Sequence, residues 1–111
     1  MSKASNETCS RITEQVINII AGKWEFLAIA HLKHGPLRFN QLKRNINSIS
    51  TQSLTVVLRK LEHTGVVLRK VFPTVPTTVE YSLTEKGKDF ISVLEEMHRW
   101  GEKWNVDTDS N

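Results

Sequence analysis

The sequence predicts a mainly helical α+β fold in which a helix-turn-helix is followed by a β-hairpin and closed by a long helix. Three observations predict it. Between residues 50 and 64, Leu54, Val57, Leu58 and Leu61 recur at i, i+3, i+4 and i+7, one face of an amphipathic helix. Ser50 stands where its hydroxyl can cap the first turn, and Gly65 stands where a left-handed end is needed. After Gly65 the period falls to two, with Val79, Tyr81 and Leu83 alternating in a strand-like run. Residues 85–104 return to a helical period, with Phe90, Val93, Leu94, Met97, Trp100 and Trp104 along one stripe.

The chain of 111 residues is 39% hydrophobic and 24% charged, ordinary composition for one globular domain. Residues 8–106 are expected to form that domain, between flexible tails at 1–7 and 107–111. The first residues are polar with no apolar run behind them, so no membrane partner and a cytoplasmic location are expected. A single cysteine excludes an internal disulfide and leaves Cys9 as a spectator, an intermolecular partner or a reactive thiol.

Taken in order, a first helix is expected from about residue 9 to 20, with Ile12, Val16, Ile19 and Ile20 on one face and Thr8 as its cap. Gly22 interrupts it. A second helix over 23–33 is apolar almost all round and belongs in the core, ending at His34-Gly35-Pro36. Residues 38–46 form a short helix burying Phe39, Leu42 and Ile46. A polar turn, 47–50, holds one apolar plug, Ile49, and Asn47 is the residue expected to adopt a left-handed conformation there. The helix-turn-helix therefore spans 38–64. Residues 66–83 form the hairpin that follows it, a wing, whose loop is stiffened by Pro73 and Pro76. Thr84 caps the final helix, 84–104, whose large side chains are expected to meet a second copy of the chain. Ile12, Phe90, Leu94, Met97, Trp100 and Trp104 are its candidate interface.

The outward face of the 50–64 helix carries Ser50, Thr51, Gln52, Ser53, Thr55, Val56, Arg59 and Lys60, short hydrogen-bonding groups and cations suited to base edges and phosphates. Charge supports that reading. Residues 38–70 carry seven Lys or Arg against one acid, Glu62, whereas 71–111 carry four against eight. A positive charge so concentrated in one region is the footprint of a polyanion-binding face.

These elements, in order, resemble the HxlR-type family of bacterial winged helix-turn-helix transcription regulators, relatives of the MarR family. The resemblance rests on Gly22-Lys23-Trp24, on the run from Gly35 to Leu42, and on Ile49-Ser50 followed by Leu54-Thr55, Leu58-Arg59 and Leu61-Glu62. It continues through the runs from Phe72 to Pro76 and from Val79 to Thr84 and ends at Arg99-Trp100-Gly101. It implies a homodimer formed through the terminal helices, with one 50–64 helix per subunit in a major groove. The partner would be double-stranded DNA carrying an inverted repeat, and repression the commoner outcome. On this carry-over Gln52, Thr55 and Val56 read bases, while Arg59, Arg38, Asn40, Arg69 and Lys70 contact phosphate. Where many family members carry a cation just before the Val79-Glu80-Tyr81 strand, this chain has Thr77 and Thr78.

Several family members sense oxidants, quinones or aldehydes through a cysteine placed as Cys9 is. A helix N-terminus and the nearby Arg11 would stabilise the reactive thiolate. The usual following proline is Ser10 here. His31 and His34 lack a third ligand at suitable spacing, so no metal and no cofactor are expected. Neither a phosphate-binding glycine loop nor a His-partnered nucleophile is present in the sequence, which argues against an enzyme. The competing reading is a winged-helix protein-interaction module without sequence-specific DNA binding, which leaves the concentrated positive charge unexplained.

Overall fold

The computed structural model describes residues 6–106, with side chains from Ser10 onward. Five helices and three strands follow in order: α1 Asn6–Ile19, α2 Lys23–Leu32, β1 Leu37–Arg38, α3 Phe39–Asn45, α4 Thr51–His63, β2 Val67–Phe72, β3 Thr78–Leu83 and α5 Glu85–Lys103. The core is built from α2, α3, α4 and the first half of α5, with Ala28, Ile29, Leu42, Leu54 and Leu61 fully buried. The α4 stripe read from the sequence is buried as expected, as is the Ile49 plug.

Both ends of α4 have the predicted chemistry. The Ser50 hydroxyl accepts from the Ser53 N–H at 3.0 Å. At the other end Gly65 takes φ +80, its N–H donates to the Glu62 carbonyl, and the Val66 N–H donates to that of Leu61. This pair of bonds closes the last turn and redirects the chain into β2.

Four features depart from the sequence reading. Helix α1 begins at Asn6, so Thr8 lies inside it and is not its cap, and Asn6 and Glu7 belong to helix and not to a tail. The rest of the predicted tails, 1–5 and 107–111, lies outside the described residues. The left-handed residue in the turn is Ser48, φ 74, and not Asn47. Arg38 is not helical: it ends a two-residue strand, and its backbone N–H donates to Gln41 Oε1 at 2.8 Å across the start of α3. That strand pairs with β3, giving the antiparallel order β1-β3-β2. Two residues carry no readable period, which is why β1 escapes sequence inspection.

Two side chains at the start of α5 hold the base of the wing: Lys86 Nζ donates to the Thr64 carbonyl at 2.7 Å, and Thr84 does more. The Thr84 hydroxyl donates to the Gly65 carbonyl, with the Val66 carbonyl at 3.2 Å, and accepts from the Gly87 N–H at 3.1 Å. The cap of α5 is thus also a clasp at the base of the hairpin.

Candidate nucleic-acid interface

Once the core stripe of α4 is buried, the residues opposite it point into solvent. Gln52, Val56 and Arg59 are exposed, and Val56 keeps 64% of its surface while its neighbours Val57 and Leu58 keep 5% and 2%. Thr51 flanks them. Thr55 is half-buried and donates its hydroxyl to the Thr51 carbonyl at 2.8 Å, so its oxygen turns outward chiefly as an acceptor. Ser50 is committed to the cap, and Ser53 is half-buried beside it. Of the base readers expected from the sequence, Gln52 and Val56 are exposed and Thr55 is half-buried, while the expected phosphate contact Arg59 is exposed beside them.

Lys60 needs correction. It points along α2, where Nζ lies 3.2 Å from Glu25 Oε2, with the carboxylate largely buried. An ion pair to α2 and an outward phosphate contact compete for the same ammonium group, and this structure has the first.

The wing residues also divide, by register. Arg69 stands opposite Tyr81, which stands opposite Leu37; Lys70 stands opposite Glu80, which stands opposite Arg38. Directly opposed residues share a face and successive residues do not. Arg69 therefore shares a face with the buried Val67 and Leu83 and turns toward α4. There Thr55, Arg59, Glu62, Arg69 and Tyr81 line a notch of about 340 Å³. Lys70 and Arg38 lie on the other face, with Glu80 between them. Lys70 also lies over the Phe72 ring at 5.0 Å. The two wing cations expected to act together thus serve different faces, and Glu80 partly offsets Arg38 and Lys70. Asn40 is exposed at the start of α3, beside this ladder.

Glu25, Glu80 and Tyr81 were not anticipated at this surface. Glu80 could have been found, since strict alternation from Val79 to Leu83 puts it on the face away from the core. Glu25 carries no such signal, because its role depends on how α2 crosses α4.

Residues 19–109 match the model of the HxlR-like helix-turn-helix family. The chain belongs to this family. An HTH-type transcriptional regulator of Methanothermobacter thermautotrophicus is 45% identical over 91 residues, 82% of this chain and 70% of that protein. Another, YdeP of Bacillus subtilis, is 43% identical over 91 residues, 82% of this chain and 71% of its own length. Among solved structures, a MarR-family regulator of Enterococcus faecalis V583 superposes with TM-score 0.84 at 30% identity, covering 94% of this chain and 93% of that one. The oxidised redox regulator HypR superposes with TM-score 0.75 at 41% identity, covering 82% and 94%. Reduced YodB of B. subtilis gives 0.79 at 34%, covering 86% and 94%. Like its HxlR-type relatives, this chain is a DNA-binding transcription regulator of winged helix-turn-helix fold.

The long helix of this HxlR-type regulator corrects the predicted interface stripe. Phe90 and Leu94 are buried at 8% and 9% exposure and belong to the subunit's own core. Val93, Met97, Trp100 and Trp104 lie on an adjacent line of α5 and stay exposed, the tryptophans at 63%. On α1, Ile12 and Ile17 are exposed as well. The interface candidates that remain are Ile12, Met97, Trp100 and Trp104. The Cys9 side chain lies outside the described ones; its backbone is in the first turn of α1. No described helix is long and apolar enough to cross a membrane, and no group of three or more metal-ligating side chains occurs among the described residues.

Proposed function

We propose that the protein is a homodimeric repressor that reads an inverted-repeat operator in the cytoplasm, each subunit placing α4 in one major groove. The observation that carries this reading is the outward face of α4, where Val56 stands exposed between Gln52 and Arg59. A bare valine on an otherwise polar helix face fits a thymine methyl, Gln52 fits adenine, and Arg59 fits the adjoining phosphate. Arg69, turned toward the same notch, adds a second phosphate contact from the wing.

Dimerisation is supported by the exposed line Val93, Met97, Trp100 and Trp104, an apolar surface that a monomer would leave in water. With two-fold symmetry the half-sites stand about 10 bp apart between centres, or a multiple of that. An effector acts on this arrangement. The resemblance to the redox regulators HypR and YodB, together with the position of Cys9 in the first turn of α1, supports an oxidant or electrophile acting through that thiol. A groove of about 540 Å³ between α2 and α5, floored by Phe26, Ala30, Ile91 and Leu94, offers a place for a small molecule instead.

The test is a gel shift and footprint on the DNA flanking the protein's own gene, with and without diamide or a quinone. The expected result is a palindromic footprint, lost on oxidation and restored by dithiothreitol. A footprint unaffected by oxidant keeps the DNA reading and removes Cys9. Binding without sequence preference removes the operator-reading assignment.

A further inference from the structure

Two cations stand side by side in α4, and their surroundings differ. Arg59 is exposed on the outward face. Lys60, turned by about 100° from it around the helix, reaches the Glu25 carboxylate of α2 at 3.2 Å. The Glu25 side chain retains only 13% of its exposure and that of Lys60 34%. Glu25 lies in the first turn of α2, where the helix dipole favours its charge. Its second oxygen is folded back over Gly22, 2.5 Å from where a β-carbon on that glycine would stand. The carboxylate is therefore confined from three sides: by α2's own first turn, by Gly22 and by Lys60. Trp24, Glu25, Gln52, Ser53, Val56 and Val57 border one shallow depression. The ion pair thus lies at the margin of the surface that carries two base-reading candidates.

We infer that Glu25 is a positioning residue for DNA recognition: it withholds Lys60 from the phosphate backbone and sets the roll of α4 about its axis. A lysine released on this flank would find a phosphate on any duplex, adding affinity without sequence information. Held by Glu25, it adds none, and discrimination rests on the base-reading candidates Gln52 and Val56, with Arg59 supplying the phosphate contact on this face. The inference depends on α4 being the helix that meets DNA.

The experiment is the salt dependence of binding by the full chain, on the footprinted duplex and on a scrambled duplex of the same length. Lys60→Ala is expected to keep the parent slope. Glu25→Gln, which preserves shape and removes the charge, is expected to steepen the slope by about 0.9 per protomer, an extra loss of about 3.5-fold between roughly 50 and 200 mM salt. It should also tighten binding to the scrambled duplex several-fold, narrowing the preference for the footprinted one. The double variant should return to the parent slope. Gly22→Ala offers an independent route, since its β-carbon displaces only the flexible end of Glu25 and Gly22 has an ordinary extended backbone, φ −121. It should behave as Glu25→Gln does.

A Lys60→Ala protein with a slope flattened by about 0.9 would place Lys60 on phosphate in the parent and overturn the inference, as would an unchanged slope in both Glu25→Gln and Gly22→Ala. Arg59→Ala separates the two levels. If it flattens the slope while Glu25→Gln is silent, the role of Glu25 alone falls; if Arg59→Ala is silent too, the placement of α4 on DNA falls with it.

Discussion

A β-carbon on Gly87 would lie 2.2 Å from the carbonyl oxygen of Val66. The first turn of α5 therefore rests directly on the backbone where α4 gives way to the wing, and only glycine allows the approach. Gly87→Ala must push two backbone segments apart. Its expected cost is at the upper end of the overpacking range, about 3 kcal/mol, read as a drop in the urea midpoint with an unchanged m-value. A variant as stable as the parent would show that the contact relaxes freely.

Thr84 holds the same junction with its hydroxyl. Thr84→Ala removes the cap of α5 and the bond to the wing base together, at about 1–2 kcal/mol. Thr84→Ser keeps both groups and should recover most of that loss in thermal denaturation. Equal destabilisation by the two substitutions would assign the effect to the lost methyl group instead.

On the DNA side, the outward residues of α4 should separate by kind. Gln52→Ala should relax preference at one base position by about 1–3 kcal/mol, while Arg59→Ala should weaken all sequences alike and flatten the salt slope by about 0.9 per protomer. Binding-site selection with each variant reads both effects. An unaltered base preference in Gln52→Ala would mean that α4 sits differently in the groove.

The two lines of large side chains on α5 should fail in different ways. Phe90→Ala leaves a cavity in the core and should cost about 3–5 kcal/mol. Trp100→Asp touches little in its own subunit, so the fold should survive with near-parent stability while the dimer dissociates, as analytical ultracentrifugation would reveal. DNA affinity should fall with it, because two half-sites are no longer engaged at once. A stable Trp100→Asp dimer would move the interface elsewhere.

Most of the architecture was legible because its signals are local. The α4 stripe, its two caps, the alternation of β3 and the Thr84 cap each occupy a few adjacent residues and were found where the periodicity and capping rules put them. What was missed depends on tertiary placement. Phe90 and Met97 are seven apart in one helix and read as one stripe, yet the domain body covers only the first part of α5 and so buries one and exposes the other. Arg69 and Lys70 are adjacent in sequence and look interchangeable until the pairing of β2 with β3 sends them to opposite faces. Lys60 read as outward because nothing in α4 itself reveals that Glu25 lies across from it.

The order of the sheet bears on how the chain comes to be made. Strands β1 and β2 do not touch each other; β3, the last of the three in the chain, lies between them. During synthesis neither earlier strand has an edge to pair with until residues 78–83 have emerged from the ribosome. By then the whole helix-turn-helix is already outside, without its sheet. A nascent chain halted after α4 would expose the buried faces of Val57, Leu58 and Leu61 with no wing to cover their end. The sheet can therefore close only after β3 has followed the helix-turn-helix, and the return strand of the wing is the one that joins β1 and β2 to a common partner.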